Sequence, residues 1–369
     1  MKTRAAIVRG NNGPWEIVEL ELDAPKRGEV QLRMAAAGLC HSDDMVRSGL
    51  TVVRLPAVAG HEGSAVVEAV GEGVTQIKPG DHVVLVFSPT CGQCRFCASG
   101  QSNLCDYGGI MTVGGLLDGT FRFHDGANDV GGMPGTFTER VTVSEHSVVV
   151  IPKEIPLDVA ALLSCCVPTG WGSSVIVGGV KPGDTVMVIG TGGVGINAVQ
   201  GAVIAGARYV IAVDPVAFKQ EKSLEVGATH AVSNTDDAQK LLTELTRGVG
   251  ADVAVVTTNW VEASHIRSAF DAIRKGGTVV VTGTAGSMDV NTVSLPGTIL
   301  AWWHKTVRGA VYGGVNPQSD IPRLIELYQA GRLKLDELIT QRYTLDQVNE
   351  GYADLHAGKN IRGVIDFTL

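Results

Sequence analysis

Short motifs at three places in the sequence contain cysteine and histidine, which bind metal ions. Cys40 stands in CHSDD, His61 in GHEG, and Cys165 and Cys166 stand side by side in LLSCCVPTG. A catalytic zinc takes roughly three protein ligands and keeps one position open, and Cys, His and Cys are a known ligand set. A lone buried cysteine is more often a small packed side chain, so the hypothesis depends on these residues appearing together. Cys40, His61 and one member of the cysteine pair are therefore predicted to form a catalytic metal site.

The remaining four cysteines lie close together in CGQCRFCASGQSNLC. They are Cys91, Cys94, Cys97 and Cys105. Four thiolates at this spacing suit one tetrahedral zinc ion with no open position, which predicts a structural site. An iron–sulfur cluster is the alternative, and disulfides are less favoured where thiols stay reduced. A zinc ribbon that binds nucleic acid would have similar spacing, but the formal net charge of −8 argues against one.

The motif GTGGVG, residues 190–195, follows the apolar run TVMVI and begins a helical pattern. Its glycines allow a tight turn in which backbone N–H groups bind a pyrophosphate. Asp214 ends the next apolar run, where a carboxylate bonds a ribose 2′-hydroxyl and repels a 2′-phosphate, so NAD is favoured over NADP. A glycine-rich turn without a ligand is the alternative. The predicted cofactor-binding residues of this segment are Gly190, Gly192, Gly193, Val194, Gly195, Asp214 and Lys219.

The elements that must position these motifs differ between the two halves of the chain. Residues 1 to about 160 contain short strand-like runs such as EVQLRM, SAVVEAV and DHVVLVF, which predict a mostly β region. From Asp184 onwards, apolar strands alternate with helical stretches, which predicts a parallel sheet covered by helices. The tail contains an amphipathic helix, IPRLIELYQAG, then a last helix, LDQVNEGYADLHAGK, and a strand-like run, RGVIDFTL.

Composition excludes some classes of partner. The chain has 369 residues, enough for two domains, and its acidic balance disfavours nucleic acid and anionic membranes. The uncharged stretch from Thr185 to Ala207 has the length of a membrane span, but its glycines, Asn197 and Gln200 predict a strand, a turn and a helix. The first 20 residues lack the apolar core of a secretory signal, so a cytoplasmic location is expected.

In their order and spacing, the motifs GLCHSD, GHEG, CVPTGWG, GTGGVG and NIRGVI, with the four-cysteine segment, resemble the zinc-dependent medium-chain alcohol dehydrogenase family over essentially the whole chain. The segments SNLCD, DGTFRF, DPVAFK and GKNIRG are most similar to its bacterial nicotinoprotein branch, which keeps NAD tightly bound. The resemblance implies an α/β fold, with a Rossmann doubly wound parallel sheet domain (167–309) inserted in a mostly β, GroES-like catalytic domain (1–166 and 310–369). It also implies two zinc ions per subunit and a homodimer or homotetramer.

The resemblance implies roles for residues around the catalytic zinc. Cys40, His61 and Cys165 would be its ligands, Glu62 would lie behind the metal, and Asp43 would orient His61. Cys166 stands where the family usually has glycine. It is expected to be a packed neighbour, and the alternative is a swapped or oxidation-sensitive ligand.

Further residues are matched to the substrate and the cofactor. Ser42 would accept the alcohol proton, Phe87 would line the substrate pocket, and Thr169 would pack near the nicotinamide. His41 and Arg362 match positions that contact the pyrophosphate. Met45 replaces a histidine that ends the proton relay in many relatives, so the relay must end elsewhere, in water or ribose hydroxyls.

The predicted function is the reversible, zinc-dependent oxidation of an alcohol to an aldehyde or ketone with hydride transfer to NAD. One alternative keeps this chemistry but has the bound NAD reoxidised by an external redox carrier. Another is a catalytically silent protein that binds NAD and zinc. The joint presence of Cys40, His61, Cys165 and Ser42 favours an enzyme.

Overall fold

A computed structural model describes residues 1–50, 53–111, 114–132, 134–283 and 292–369. Eighteen strands lie within these residues. In chain order they are β1 (Lys2–Val8), β2 (Glu16–Leu22), β3 (Glu29–Gly38), β4 (Ala57–Val58), β5 (Gly63–Val70), β6 (His82–Leu85), β7 (Phe123–Asp125), β8 (Asn128–Gly132), β9 (Arg140–Ser144), β10 (Val148–Ile151), β11 (Thr185–Ile189), β12 (Tyr209–Val213), β13 (His230–Val232), β14 (Ala251–Val256), β15 (Ile273–Val281), β16 (Thr306–Gly309), β17 (Ile339–Tyr343) and β18 (Arg362–Asp366).

The same residues form twelve α-helices. They are α1 (His41–Arg47), α2 (Arg95–Ala98), α3 (Gly108–Met111), α4 (Leu157–Ala160), α5 (Cys166–Gly172), α6 (Gly193–Ile204), α7 (Ala217–Glu225), α8 (Thr235–Leu245), α9 (Ala263–Ala272), α10 (Gly297–Trp302), α11 (Pro317–Gln329) and α12 (Val348–His356).

The first of two compact units comprises Met1–Cys165, Asn316–Leu324 and Leu335–Leu369. Its strands form a closed barrel, in the order β1-β2-β7-β8-β4, and a seven-stranded sheet, in the order β10-β6-β5-β3-β18-β17 with β9 on β3. Strand β3 is buried at nearly every position because it pairs with β5, β9 and β18. This unit confirms the mostly β region expected from the first part of the sequence.

The second unit comprises Cys166–Val315 and Ile325–Lys334. Its six strands are all parallel, in the order β13-β12-β11-β14-β15-β16. Strand β11 is buried throughout, as expected for a parallel strand in a sheet covered on both faces. The order is that of a doubly wound Rossmann sheet, so the predicted fold class is confirmed.

The two units differ from the predicted domains at Cys166, which begins the second unit, and in the region after residue 309. Residues 310–315 and 325–334 lie in the second unit, although the sequence assigned them to the catalytic domain. The amide of Gln200 explains part of this difference, because it donates to Lys334 O at 2.9 Å and accepts from Lys334 N at 2.8 Å. A backbone segment held on α6 in this way packs with the parallel sheet.

The uncharged stretch from Thr185 to Ala207 contains β11 and α6 separated by the glycine-rich turn, as predicted. Within the described part of the chain, no single helix is long and apolar enough to cross a membrane. One bent pair of helical segments, Leu157–Ser164 with Cys166–Val177, reaches that length and composition only when both are taken together.

Candidate active site

Four buried side chains of the first unit converge at one point. They are Cys40, His61, Glu62 and Cys165, whose potential ligand atoms all lie within 4.8 Å of one another. Two thiols and an imidazole are a donor set that suits zinc. Glu62 Oε1 is buried beside them with no hydrogen-bond partner among the described residues. These residues therefore fit a zinc ion, and the structure brings together the three predicted ligands and Glu62.

Each of these side chains comes from the end of a regular element. Cys40 is the N-cap of α1, two residues after β3 ends, and His61 and Glu62 immediately precede β5. Cys165 follows the short 3₁₀ helix Ala161–Ser164. That helix is fixed by the Ser164 hydroxyl, which donates to the His61 carbonyl at 3.3 Å and also contacts the Leu85 carbonyl. Elements that are distant in sequence therefore end close together at one site.

A second layer of charged groups surrounds the cluster. Asp43 Oδ1 lies 2.9 Å from His61 Nδ1, which leaves Nε2 as the ring nitrogen available to a metal. Arg362, at the start of β18, forms an ion pair with Glu62 Oε2. A Cβ at Gly38 would collide with the Glu62 carboxylate, so the glycine makes room for this side chain. The predicted contact between Asp43 and His61 is present.

Burial and neighbouring groups shift the pKa values of the cluster in different directions. Hydrogen bonding with Cys165 lowers the pKa of the Cys40 thiol well below its usual range, despite the opposing effect of burial. Burial raises the pKa of Glu62 to about 7, and the Arg362 charge only partly offsets this. A thiolate is the form of cysteine that binds metals, so the environment of Cys40 favours ligation.

An apolar cavity of about 150 Å³ adjoins the cluster within the first unit. Its polar wall contains Ser42, Asp43, His61 and Cys165, and the rest is Val46, Val53, Ala57, Val58, Ala59, Gly60 and Phe87. Ser42 Oγ lies 3.7 Å from Cys40 Sγ, and the Phe87 ring packs edge-on against His61 with centroids 5.6 Å apart. Both predicted residues therefore lie beside the candidate metal site.

The four remaining cysteines, Cys91, Cys94, Cys97 and Cys105, also form a cluster with ligand atoms within 4.8 Å of one another. Backbone N–H groups support their sulfur atoms: Cys91 N–H donates to Cys105 Sγ at 3.4 Å, and Cys94 N–H donates to Cys91 Sγ at 3.3 Å. The Cys97 N–H donates to Cys94 Sγ and lowers the pKa of Cys94 to about 6. Four thiols without a further donor suit a closed tetrahedral site.

A second cavity, of about 420 Å³, lies in the second unit at the carboxyl ends of β11, β12, β13 and β14. Ligands of doubly wound folds bind at this edge, where the strand order reverses. Gly190, Gly192, Asp214 and Lys219, which were predicted to bind the cofactor, line this cavity, and Gly193, Val194 and Gly195 form the first turn of α6.

The geometry of the glycine-rich turn explains two of its glycines. Gly190 has a φ of +85°, which favours glycine, and a Cβ at Gly195 would collide with the Gly190 carbonyl. Asp214 is 4% exposed and accepts from Thr191 N–H at 2.8 Å and from Val216 N–H at 3.0 Å. Its carboxylate therefore holds the turn against the end of β12.

Comparisons with known proteins agree with this arrangement. Residues 26–153 match the alcohol dehydrogenase GroES-like domain, and residues 193–330 match the zinc-binding dehydrogenase family. The chain is 56% identical over 367 residues to an NDMA-dependent alcohol dehydrogenase from Amycolatopsis methanolica, covering 99% of both chains. The chain belongs to the zinc-dependent alcohol dehydrogenase family. This confirms the family predicted from the sequence.

Two solved structures resemble this dehydrogenase along its length. An alcohol dehydrogenase zinc-binding domain protein from Burkholderia ambifaria is 34% identical with a TM-score of 0.93, and 99% of each chain is covered. Benzyl alcohol dehydrogenase from Acinetobacter calcoaceticus is 30% identical with a TM-score of 0.92 and the same coverage. The family implies zinc and a nicotinamide dinucleotide, which agrees with the two cysteine clusters and the cavity above the parallel sheet.

Four other residues predicted from the resemblance are placed as follows. Thr169 is buried in α5, where its carbonyl accepts from the Ser173 hydroxyl at 2.6 Å. Cys166 is fully buried at the start of α5 and is not a member of the metal-binding cluster. His41 begins α1, and Arg362 is buried against Glu62. Pyrophosphate contacts by His41 and Arg362 stay predictions.

Sequence reasoning missed several polar residues of the dehydrogenase. Tyr352 and His356, on α12, approach the two aspartates of α1. His265 lines the nucleotide cavity, and its Nδ1 accepts from Glu262 N–H at 3.1 Å, so its Nε2 carries the hydrogen. The i, i+4 spacing in YADLH was the available signal for the α12 pair, because these residues share a helix face.

Proposed function

We propose that the chain oxidises an alcohol to an aldehyde or ketone, reversibly, with hydride transfer to NAD. The observation that carries this proposal is the buried Cys40, His61 and Cys165 cluster at the wall of an apolar cavity. Zinc held by these three residues would supply the Lewis acidity that lowers the pKa of an alcohol. A second zinc, held by the four-cysteine cluster, would stabilise residues 91–105.

Ser42 accepts the alcohol proton in this proposal. Its hydroxyl lines the cavity beside Cys40, so it lies within reach of a substrate oxygen bound near the metal ligands. Met45, three residues further along α1, is buried and cannot carry a proton. The proton therefore passes from Ser42 to water or to a ribose hydroxyl.

The apolar wall of the cavity selects the substituent of the alcohol. A cavity of about 150 Å³ in an engineered protein binds benzene. The cavity here has about that volume and is lined mainly by valine, alanine and Phe87. Alcohols with an apolar substituent up to the size of a six-membered ring are the proposed substrates.

NAD is the proposed cofactor, and it stays bound between turnovers. Asp214 supports NAD over NADP because its buried carboxylate at the cavity wall would repel a 2′-phosphate. The segments that resemble the nicotinoprotein branch support tight binding, as does the relative that is named NDMA-dependent. Reoxidation would then require an external redox carrier.

The amount of cofactor released on denaturation tests the proposal that NAD stays bound between turnovers. The purified protein is dialysed, denatured and assayed for NAD, NADH and NADP. We expect roughly one NAD or NADH per subunit, and turnover of an alcohol with NDMA and no added NAD. A dialysed protein without cofactor that turns over only with free NAD would overturn tight binding and leave the dehydrogenase activity intact. Absence of alcohol oxidation under both conditions would support the silent NAD- and zinc-binding protein.

The proposed oligomer is a homodimer or homotetramer that pairs through the parallel sheet. Strand β16 is the edge of that sheet, and all four of its residues are exposed. Trp302, just before it, is 82% exposed. An exposed edge strand next to a large apolar side chain supports pairing with a second copy.

A further inference from the structure

Two helices of the first unit face each other through paired polar residues. Helix α1 presents Asp43 and Asp44, and α12 presents Tyr352 and His356, one helical turn apart. The Tyr352 hydroxyl lies 3.3 Å from Asp43 Oδ2, and His356 Nε2 lies 2.8 Å from Asp44 Oδ2. Each aspartate of α1 therefore has a partner on α12.

The Tyr352 hydroxyl touches two different parts of the candidate metal site. It shares its hydrogen between Asp43 Oδ2 and the Cys40 carbonyl, which lies 3.2 Å away. The other oxygen of Asp43 is paired with His61 Nδ1 at 2.9 Å. Tyr352 is thus one hydrogen bond from the backbone of one candidate ligand and two from the ring of another.

Packing fixes the position of this hydroxyl. Tyr352 is 3% exposed, and its ring lies against Trp15, with centroids 5.2 Å apart, and against Phe137, at 6.3 Å. Asn349, in the first turn of α12, accepts from Trp15 N–H at 3.1 Å and donates to Trp15 O at 2.9 Å. The aromatic ring therefore has little freedom to move its hydroxyl away from Asp43.

We propose that Tyr352 is a positioning residue for the zinc ligands: it orients the Asp43 carboxylate that holds the His61 ring, and it restrains the Cys40 backbone. This inference rests on the proposed function, in which Cys40 and His61 bind zinc. Groups that orient metal ligands from behind affect metal affinity because a misaligned ring binds more weakly. Loss of the hydroxyl leaves Asp43 with one fewer donor and allows the imidazole to tilt.

Zinc release from the Tyr352→Phe protein tests the proposal. The holoenzyme is mixed with excess EDTA, and zinc loss is followed over time. The phase of zinc release that is absent from the His61→Ala protein is assigned to the site of Cys40, His61 and Cys165. The phase that remains in that protein is assigned to the four-cysteine cluster and serves as the internal reference. We expect Tyr352→Phe to accelerate the first phase about tenfold and to leave the reference phase unchanged.

Tyr343→Phe is the matched control. Tyr343 is also buried, and its hydroxyl donates to a carboxylate, Asp354 Oδ2, at 2.9 Å, but Asp354 does not contact a candidate zinc ligand. This variant loses the same group from the same apolar cluster as Tyr352. Equal acceleration in both variants would mean that the packing of α12 is responsible, and the proposal would be wrong.

Cobalt substitution and a double-mutant cycle distinguish an effect on the zinc ligands from a general loss of stability. The visible bands of the cobalt protein should shift in Tyr352→Phe and not in Tyr343→Phe. Combined with Asp43→Asn, the effect of Tyr352→Phe on zinc release should shrink, because both act on His61. If the effects of the two substitutions on zinc release were fully additive, Tyr352 would not act through Asp43. A wild-type protein without the His61-dependent phase would contradict the proposed zinc site itself, which is a separate failure.

Discussion

Ser42 is the residue whose chemistry is tested most directly by a single substitution. Its hydroxyl lies on the cavity wall beside Cys40. If it accepts the alcohol proton, Ser42→Ala should lower kcat/KM by about 10²-fold or more, the usual contribution of a positioned acid or base. Steady-state kinetics with NDMA, together with zinc and NAD content, measure this effect.

Ser48→Ala serves as the control for this substitution. Ser48 ends the same helix, and its hydroxyl donates to the Met45 carbonyl at 3.2 Å without lining the cavity. Activity should stay within about twofold of wild type in this variant, because the half-buried Ser48 lies outside the cavity lining. A Ser42→Ala enzyme that retains similar activity would show that another group takes the proton.

The sequence indicated which side chains could converge on a metal, because metal binding depends on residue type, and the family resemblance singled out Cys165 from the cysteine pair. Cys40, His61 and Cys165 converge as expected, and so do the four clustered cysteines. Tyr352 could not be predicted in the same way, since it contacts Asp43 from 309 positions further along the chain. Its partner is determined by the packing of α12, and tyrosine in a helix is usually a core or surface residue.

At the scale of the elements, two glycines in the turn between β11 and α6 are expected to have different roles, one in packing and one in cofactor binding. A Cβ at Gly195 would collide with the Gly190 carbonyl, whereas a Cβ at Gly192 meets no atom within 4 Å. Gly195→Ala should therefore destabilise the second unit by about 1–3 kcal/mol, the usual cost of overpacking. Gly192→Ala should fold normally but lose NAD, because its backbone is the expected neighbour of the pyrophosphate.

Thermal unfolding and NAD content distinguish these two variants. The expected pattern is a lower Tm for Gly195→Ala, and an unchanged apoprotein Tm with reduced NAD for Gly192→Ala. Equal NAD content in Gly192→Ala and wild type would contradict the assigned pyrophosphate site.

The segment containing the four cysteines has little regular structure of its own. Between Cys91 and Cys105 it forms only the four-residue helix α2 and a 3₁₀ turn at Ser102–Leu104. Its order is therefore expected to depend on the proposed second zinc, since so short a segment buries little apolar surface. Cys97→Ser should remove one zinc per subunit and expose residues 91–105 to proteolysis, while alcohol oxidation is retained in the intact fraction. Zinc analysis and mass spectrometry of limited digests check this.

The strands and helices were largely predictable from the sequence, and the boundaries between the two units were less so. Alternating apolar strands and helices after Asp184 predicted the parallel sheet, because strands buried on both faces are continuously apolar. No pattern in the sequence indicated that residues 325–334 pack with that sheet. Their assignment depends on hydrogen bonds between Gln200 and the Lys334 backbone, which form only in the folded chain.

For the whole molecule, the exposed edge of the parallel sheet is the surface through which the proposed oligomer would pair. Strand β16 has all four residues exposed, and Val307 at its centre would face a second copy. If two copies pair through this edge, Val307→Asp should place like charges across the two-fold interface and convert the proposed oligomer into a smaller species, because desolvating unpaired carboxylates is costly. Val249→Asp is the matched control, since Val249 is 61% exposed and lies outside the sheet. Sedimentation equilibrium measures both proteins, and a Val307→Asp protein with the wild-type mass would show that subunits pair through another surface.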